Sequence, residues 1–204
     1  MEAGVAAARA IEGEKAQRIV DAMRASVARR GVAGSTFDHV AREAGVSRGL
    51  LHYYFGTKER LLAEVVRRDS ELRLGLLEQQ LAGARTSEDF VDLLARSLEV
   101  TVREDPEFVT LVFELFTLAR RNAEVAAEFA ALMGRMRTHV AGLLAAKQAE
   151  GVLHLGAGPE AVADVLFALG DGIALRMLAE PGRDFAASSR AAVLAVRGLI
   201  DDRH

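Results

Sequence analysis

The 204-residue chain contains no cysteine and only three prolines. Without cysteine it can form no disulfide, thiolate nucleophile or cysteine-ligated metal site, which fits a reducing, cytoplasmic setting. No stretch reaches about 18 uninterrupted apolar residues, so we expect no membrane span, and the acidic start is unlike a signal peptide. The scarcity of proline and the lack of alternating β-branched runs favour helices over strands.

Motifs of catalysis and metal binding are also lacking. The five histidines form no H-E-x-x-H pair, and neither G-x-S-x-G nor G-x-x-x-x-G-K-[ST] occurs. Paired acidic residues, such as those at 201–202, are typical of a solvated surface. We therefore predict that the chain is not an enzyme and that it has no catalytic residues, metal ligands or cofactor. Its amphipathic patterns carry acids as well as bases, which argues against a membrane partner.

Charge is distributed unevenly along the chain. The net charge is −3, but residues 1–60 hold 10 Lys and Arg against 7 Asp and Glu. The remaining residues hold 16 basic against 22 acidic side chains. A basic N-terminal part followed by an acidic remainder is typical of a protein whose N-terminal part binds phosphate groups.

Helix-forming residues and capping signals predict an all-α fold. Apolar residues recur at helical spacing over 14–30, and Gly31 is suited to a left-handed C-cap. Ser35 with Asp38 has the spacing of a capping box for a short second helix. Further helices are predicted to start at the caps Ser47, Thr57, Thr86, Asp105 and Asn122 and at Pro159, with a last helix over about 184–200.

Two short helices joined by a tight turn at Gly45-Val46-Ser47 form a candidate DNA-binding unit. The second helix of such a pair fits the major groove, where its exposed N-terminal half reaches base edges. Arg48 can pair with guanine, Leu50 can touch a thymine methyl, and Lys58 can grip phosphate. The predicted DNA-contact residues are Thr36, Ser47, Arg48, Gly49, Leu50, His52, Tyr53, Tyr54 and Lys58. An ordinary packed helix pair with a glycine turn is the alternative.

The same segment resembles the TetR family of bacterial transcriptional regulators. The resemblance rests on Thr36-Phe37, Val40-Ala41, Ala44-Gly45-Val46-Ser47, Gly49, Leu51, Tyr54-Phe55, Lys58-Glu59 and Leu61-Leu62. It implies a homodimer that binds a palindromic double-stranded operator, usually as a repressor released by a small-molecule effector. One departure is His52, where members more often carry a tyrosine that contacts backbone phosphate, so this contact is expected to be weaker or pH-sensitive.

The expected architecture has two parts. An N-terminal three-helix DNA-binding domain with the helix-turn-helix spans 1–60, and a larger helical ligand-binding and dimerisation domain spans 61–204. An activator of the same architecture and a helical adaptor without enzymatic activity are the alternatives. An adaptor would not need Arg48, Tyr54 and Lys58 exposed beside a turn.

The last two predicted helices carry many apolar and small residues, which suits a four-helix dimer interface. These are Val162, Val165, Leu166, Leu169, Ile173, Leu175 and Met177, then Ala191, Leu194, Ala195 and Leu199. Packing inside one monomer is the alternative for this surface.

Phenylalanine and methionine residues of the body predict an apolar effector pocket. The predicted lining residues are Phe108, Val112, Phe113, Phe116, Met133, Met136 and Phe167. Candidate polar anchors are Glu114, Arg120, Arg137 and His139. An ordinary hydrophobic core is the alternative for each of these apolar positions.

Overall fold

The computed structural model describes residues 2–200, with side chains described from Gly13 onward. This range forms nine helices, and the all-α prediction is confirmed. No helix within this range is both long enough and apolar enough to cross a membrane. The helices are α1 Glu2–Gly34, α2 Phe37–Ala44, α3 Arg48–Phe55, α4 Lys58–Ala82, α5 Ser87–Glu104, α6 Pro106–Ala119, α7 Ala123–Ala149, α8 Pro159–Ala179 and α9 Ala186–Ile200.

Side chains cap the helices at nearly every predicted position. At α5 the cap is reciprocal, because Asp89 N donates to Thr86 Oγ1 at 3.0 Å and Thr86 N donates to Asp89 Oδ2 at 3.1 Å. Each such bond satisfies a polar backbone group that the first turn of a helix leaves without a partner. The other predicted caps that accept a bond from a first-turn N–H are Ser47, Thr57, Asp105 and Asn122.

The cap predicted for α2 is wrong by one residue. Thr36, not Ser35, is the N-cap, and its Oγ1 accepts a hydrogen bond from His39 N at 3.3 Å. Ser35 is buried, donates to Gly31 O at 2.9 Å and accepts from Ser26 Oγ at 3.0 Å. Gly31 has a φ of 68° and a ψ of 171°, so it interrupts α1, but its ψ is not that of the predicted left-handed C-cap and one more helical turn follows it. The hydrogen bonds of Ser35 therefore hold the chain after α1 against the body of that helix.

The chain divides into two compact units, and the first comprises residues up to Asp69 together with Leu111–Phe129. The apolar faces predicted for the first two helices are buried here. Leu51, on the inner face of α3, is fully buried and fixes which side of that helix remains exposed. The core of this unit includes Ile19, Val20, Met23, Phe37, Val40, Leu51, Leu61, Leu62, Val65 and Val66.

The second unit comprises Ser70–Thr110 and the residues from Ala130 onward. Its core includes Leu81, Phe90, Val91, Val140, Leu144, Leu153, Val162, Val196 and Ile200. The buried Lys147 donates to Ala82 O and Ala84 O, both at 3.3 Å, and to Glu150 Oε2 at 2.9 Å. This ammonium satisfies the carbonyl of Ala82, at the end of α4, and the carbonyl of Ala84, in the loop that follows the helix. The predicted domain division at residue 60 stays a prediction.

Candidate nucleic-acid interface

The turn between α2 and α3 has the geometry that the sequence predicts. Gly45 ends α2 with a φ of 65° and a ψ of 37°, a left-handed conformation that other residues adopt only at a cost. Val46 N donates to Ala41 O at 3.0 Å and closes the end of α2. Ser47 then caps α3 through a 3.3 Å bond from Leu50 N. The turn thus sets α3 directly after α2 with both helix ends satisfied.

The outer face of α3 is open to solvent. Arg48, Gly49 and His52 are exposed, whereas Leu50 is half-buried and offers less surface than predicted. Tyr53 is 75% exposed, and its ring meets the Tyr54 ring edge-on at 5.3 Å. An aromatic side chain with this much free surface is typical of a binding face, because burying its ring is strongly favourable.

Arg48 is paired with a residue that the sequence marks only as part of a cap. Arg48 Nη1 lies 3.3 Å from both carboxylate oxygens of Asp38, in the first turn of α2. The two side chains remain 59% and 60% exposed. Ten residues separate the partners, so no helical spacing relates them and only the Gly45 turn brings them together.

His52 and the end of α3 are organised by a second glycine. Gly56 has a φ of 71° and a ψ of −64°, and Thr57 N donates across it to Phe55 O at 2.8 Å, which is a γ-turn. His52 Nδ1 lies 3.0 Å from Gly56 O. Because a carbonyl oxygen only accepts, Nδ1 is the donor, and Nε2 donates to a phosphate only when the ring is protonated. The predicted contact of His52 with a backbone phosphate stays a prediction.

Lys58 stands in the first turn of α4, where the sequence predicts a phosphate contact. Its Nζ donates to Val32 O at 2.9 Å, at the interrupted end of α1. An ammonium has three N–H donors, so this bond positions the charge and leaves donors for a second partner. Tyr54 is half-buried, and its ring is tilted against Phe55 at 6.1 Å. All nine predicted contact residues thus lie between the cap of α2 and the first turn of α4, and their contact with DNA stays a prediction.

An ion-pair cluster in the first unit was not predicted. Arg60 Nη1 lies 3.3 Å from Glu124 Oε1, and Arg60 Nε lies 3.4 Å from Glu128 Oε1. The cluster joins the start of α4 to the start of α7, a helix that the sequence analysis assigns to the C-terminal domain. These partners are more than sixty residues apart, so no local pattern could have identified them.

The predicted dimer face is partly exposed in the second unit. Val165, Leu175 and Leu194 are 39%, 50% and 67% exposed, whereas Val162 packs inside the unit's own core. Small residues of the same helices, including Ala168, Gly172, Ala191 and Ala195, are exposed too. Asp171 lies among them. By surface area the residue is exposed, yet the protein around its carboxyl withdraws water from it and raises the pKa of Asp171.

The predicted effector-pocket residues belong to both units. Phe108 is buried, with the Arg73 guanidinium 4.2 Å above its ring centre. Phe116 is 48% exposed, and the half-buried residues are Val112, Phe113, Met133, Met136 and Phe167. The pocket stays a prediction.

The candidate polar anchors have protein partners or lie exposed. Arg137 Nη1 is 3.8 Å from Asp164 Oδ1, and His139 Nε2 is 3.4 Å from Glu78 Oε2. Glu114 and Arg120 are exposed. Within the described part of the chain, no group of three or more His, Asp or Glu side chains could hold a metal ion.

Two family models match this chain. Residues 19–65 match the model of bacterial regulatory proteins of the tetR family, and residues 88–200 match the C-terminal model of the BetI-type transcriptional repressor. The HTH-type transcriptional regulator BetI of Rhizobium meliloti is 28% identical over 161 residues, 77% of this chain and 78% of the relative. The HTH-type transcriptional repressor AcnR of Corynebacterium efficiens is 30% identical over 132 residues, 61% of this chain and 70% of the relative.

Solved structures of similar fold span nearly the whole chain. GusR of Salmonella enterica has a TM-score of 0.72 at 24% identity, covering 91% of this chain and 95% of its own. The regulator FadR of Bacillus subtilis, solved in complex with stearoyl-CoA, has a TM-score of 0.70 at 18% identity, with 88% and 96% covered. At these identities the likeness shows a shared fold.

Proposed function

The chain belongs to the tetR family of bacterial regulatory proteins, and we propose that it represses transcription by binding a palindromic operator as a homodimer until a small, largely apolar effector releases it. Membership makes it a transcriptional regulator with DNA-binding and ligand-binding domains, and not an enzyme. We infer that it acts in the cytoplasm, where bacterial DNA is transcribed. The observation that carries the proposal is the exposed outer face of α3, held between the Gly45 turn and Lys58.

The chemistry of α3 and its neighbours supports specific roles. Arg48, at the first position of the helix, pairs with a guanine in the major groove. Gly49 has no side chain, so the backbone can approach the base edges there. His52, Tyr54 and Lys58 contact phosphates, which fix the position of the helix without specifying sequence.

The exposed strip on α8 and α9 supports the homodimer. Val165, Leu175 and Leu194 would leave water when two copies pack together, and burying them is favourable by about 25 cal/mol per Å². The small side chains between them allow the helices to approach closely. A two-fold dimer then places two copies of α3 about 34–36 Å apart, one turn of DNA, or a multiple of that distance.

Repression is favoured over activation by the C-terminal half. Residues 88–200 match a model of repressors, and AcnR is named as a repressor. The apolar stearoyl chain of the stearoyl-CoA bound to FadR supports an effector with a large apolar part here, because Phe108, Met133, Met136 and Phe167 supply aromatic and flexible apolar surface. A coupling of about 1–3 kcal/mol between effector and operator would change DNA affinity by roughly 5–150-fold.

The central test selects duplexes bound by the full-length chain from a random pool and then footprints them. We expect a palindrome, and we expect Arg48→Ala to relax base preference at one position per half-site at a cost of about 1–3 kcal/mol. Lys58→Ala should weaken all sequences alike and reduce the salt slope by about one. Equal losses in the two variants with base preference unchanged would reject these roles. Because Lys58 also bonds Val32 O, thermal unfolding of each variant is measured alongside.

A reporter placed behind the selected operator separates repression from activation. Expression should fall when the regulator is present and recover when a cognate apolar compound is added. A rise in expression on adding the regulator would instead identify an activator. If no bound compound changes operator affinity, the effector switch is wrong even when DNA binding is confirmed.

A further inference from the structure

The contact between Arg48 and Asp38 is weak enough to be exchanged when DNA binds. Its two distances of 3.3 Å exceed the roughly 2.7–2.9 Å of a strong charge-assisted hydrogen bond. Both side chains are more than half exposed, and such surface pairs contribute about 0–1 kcal/mol. The pair therefore adds little to folding stability, but it decides where the guanidinium of the recognition helix lies before DNA arrives.

The geometry of the pair leaves the base-recognition edge of Arg48 available. Both hydrogen bonds to Asp38 use Nη1, whereas a guanidinium carries five donors in a planar fork. The Nε–Nη2 edge can form two parallel bonds to the O6 and N7 atoms of guanine while Nη1 stays on the carboxylate. A phosphate also competes for the guanidinium of Arg48. It is attracted by the positive charge of Arg48, but the Asp38 carboxylate repels it.

We propose that Asp38 is a specificity-determining residue of this regulator, which holds Arg48 for guanine and withholds its charge from backbone phosphates. On an unrelated duplex, a phosphate bound to the free edge of Arg48 lies close to the Asp38 carboxylate and is repelled by it, whereas an uncharged guanine is not. On the operator, Arg48 contacts guanine and keeps its partner. Asp38 therefore lowers affinity for unrelated DNA more than affinity for the operator. This inference rests on the proposed contact of Arg48 with guanine.

The chain offers a matched control on the same helix. Glu43 also lies on α2 and forms an ion pair, but with Arg29 of α1. Asp38→Asn and Glu43→Gln remove the same charge from α2, and only the first alters the partner of Arg48. Each full-length variant is measured against three duplexes over a range of salt concentrations: the selected operator, the operator with its Arg48-contacted guanine replaced, and an unrelated sequence.

For Asp38→Asn we expect affinity for the unrelated duplex to rise about two- to fivefold, the range that one exposed ion pair supports. Its salt slope should steepen by up to about one, as one more phosphate is contacted. Affinity for the intact operator should change least, so discrimination falls by the same factor. Glu43→Gln should shift all three duplexes alike. An equal gain on all three duplexes for Asp38→Asn, or no change on any, overturns the proposal.

Arg48→Ala, alone and combined with Asp38→Asn, separates this inference from the proposed function. In an Arg48→Ala background, Asp38→Asn should no longer change the affinity ratio, because the charge it controls is gone. If Arg48→Ala itself leaves base preference unchanged, the proposed contact with guanine fails. If Arg48→Ala relaxes the preference but Asp38→Asn leaves the ratio intact, only the role of Asp38 fails. Unfolding curves for every variant show whether α2 is still formed, and Asp38→Glu, which keeps the charge, should retain most of the discrimination.

Discussion

Substitutions of Gly45 and Gly49, on either side of Ser47, should affect stability and DNA binding differently. Gly45 needs its φ of 65°, so Gly45→Ala should destabilise the protein by roughly 1–2 kcal/mol. Gly49 lies inside α3, where an added Cβ would meet Ser47 Oγ at an ordinary 3.9 Å. Gly49→Ala should therefore stabilise the protein by up to about 1 kcal/mol through higher helix propensity. It should nevertheless weaken operator binding, because the new methyl group lies between backbone and base edges.

Urea unfolding and titration of the selected operator measure both quantities on the same samples. Gly45→Ala serves as the comparison, since it should lose stability and binding together. If Gly49→Ala binds the operator as tightly as the parent, the backbone of α3 does not approach the bases at this position and the proposed role of Gly49 is wrong.

Single positions around α2 and α3 show what a sequence pattern can predict and what it cannot. Gly45 and Ser47 could be predicted, because a positive φ and an N-cap each restrict the residue types at one position. Ser35 and Thr36 could not be told apart, because both are hydroxyl residues next to a helix start. The choice depends on the buried hydrogen bond that Ser35 Oγ accepts from Ser26 Oγ, nine residues earlier in the chain, which no cap pattern contains. The partner of Arg48 was missed for a similar reason, since the turn and not the spacing creates it.

Among the helices, α5 carries a pH-dependent cap. Hydrogen bonds from Thr86, and then from the Arg85 backbone, lower the pKa of Asp89. A carboxyl with a pKa lower in the folded than in the unfolded chain contributes stability above its ordinary pKa, and this stability is lost as pH falls through the folded-state pKa. We therefore expect Asp89→Asn to be less stable than the parent at neutral pH, with the difference shrinking in acid.

Thermal unfolding from neutral pH to acid well below the ordinary pKa of an aspartate carboxyl measures this difference, because the change lies below that value. Glu107→Gln is the control, because it removes the same charge from the first turn of another helix, α6. It should not reproduce the pH-dependent part of the effect. A constant gap between the parent and Asp89→Asn across the range would mean that the carboxylate form of the cap adds nothing.

Helix positions were predictable because capping residues and prolines mark their starts directly. The predicted starts of α3, α4, α5 and α8 all match the observed bounds. The early part of α1 was missed, because the inferred helix began at Glu14 whereas the observed one begins at Glu2. Residues 2–13 are rich in alanine and carry little amphipathic pattern, so helix propensity alone gave no clear start.

At the scale of the whole molecule, local patterns say least about which segments pack together. Leu111–Phe129 belongs to the same compact unit as α1, α2 and α3, although the sequence analysis assigns it to the ligand-binding domain. The bonds from Arg60 to Glu124 and Glu128 lie inside this unit. Surface charges of this kind occur throughout the chain, and their pairing follows from the fold. Local sequence patterns cannot identify the effector pocket either, since the same apolar residues could equally form an ordinary hydrophobic core.

The proposed homodimer leads to a prediction that two equally exposed leucines can test. Leu194 on α9 is 67% exposed and Leu72 on α4 is 68% exposed, so surface area alone does not distinguish them. Leu194→Glu should dissociate the dimer, because it places an unpaired charge in an apolar interface, a change that costs several kcal/mol. Operator affinity should then fall by about 10²–10⁴, the gain that linking two half-site contacts provides. Leu72→Glu should leave both properties unchanged. Sedimentation and operator titration measure them, and a dimer that survives Leu194→Glu but dissociates with Leu72→Glu would place the interface on α4 instead of α8 and α9.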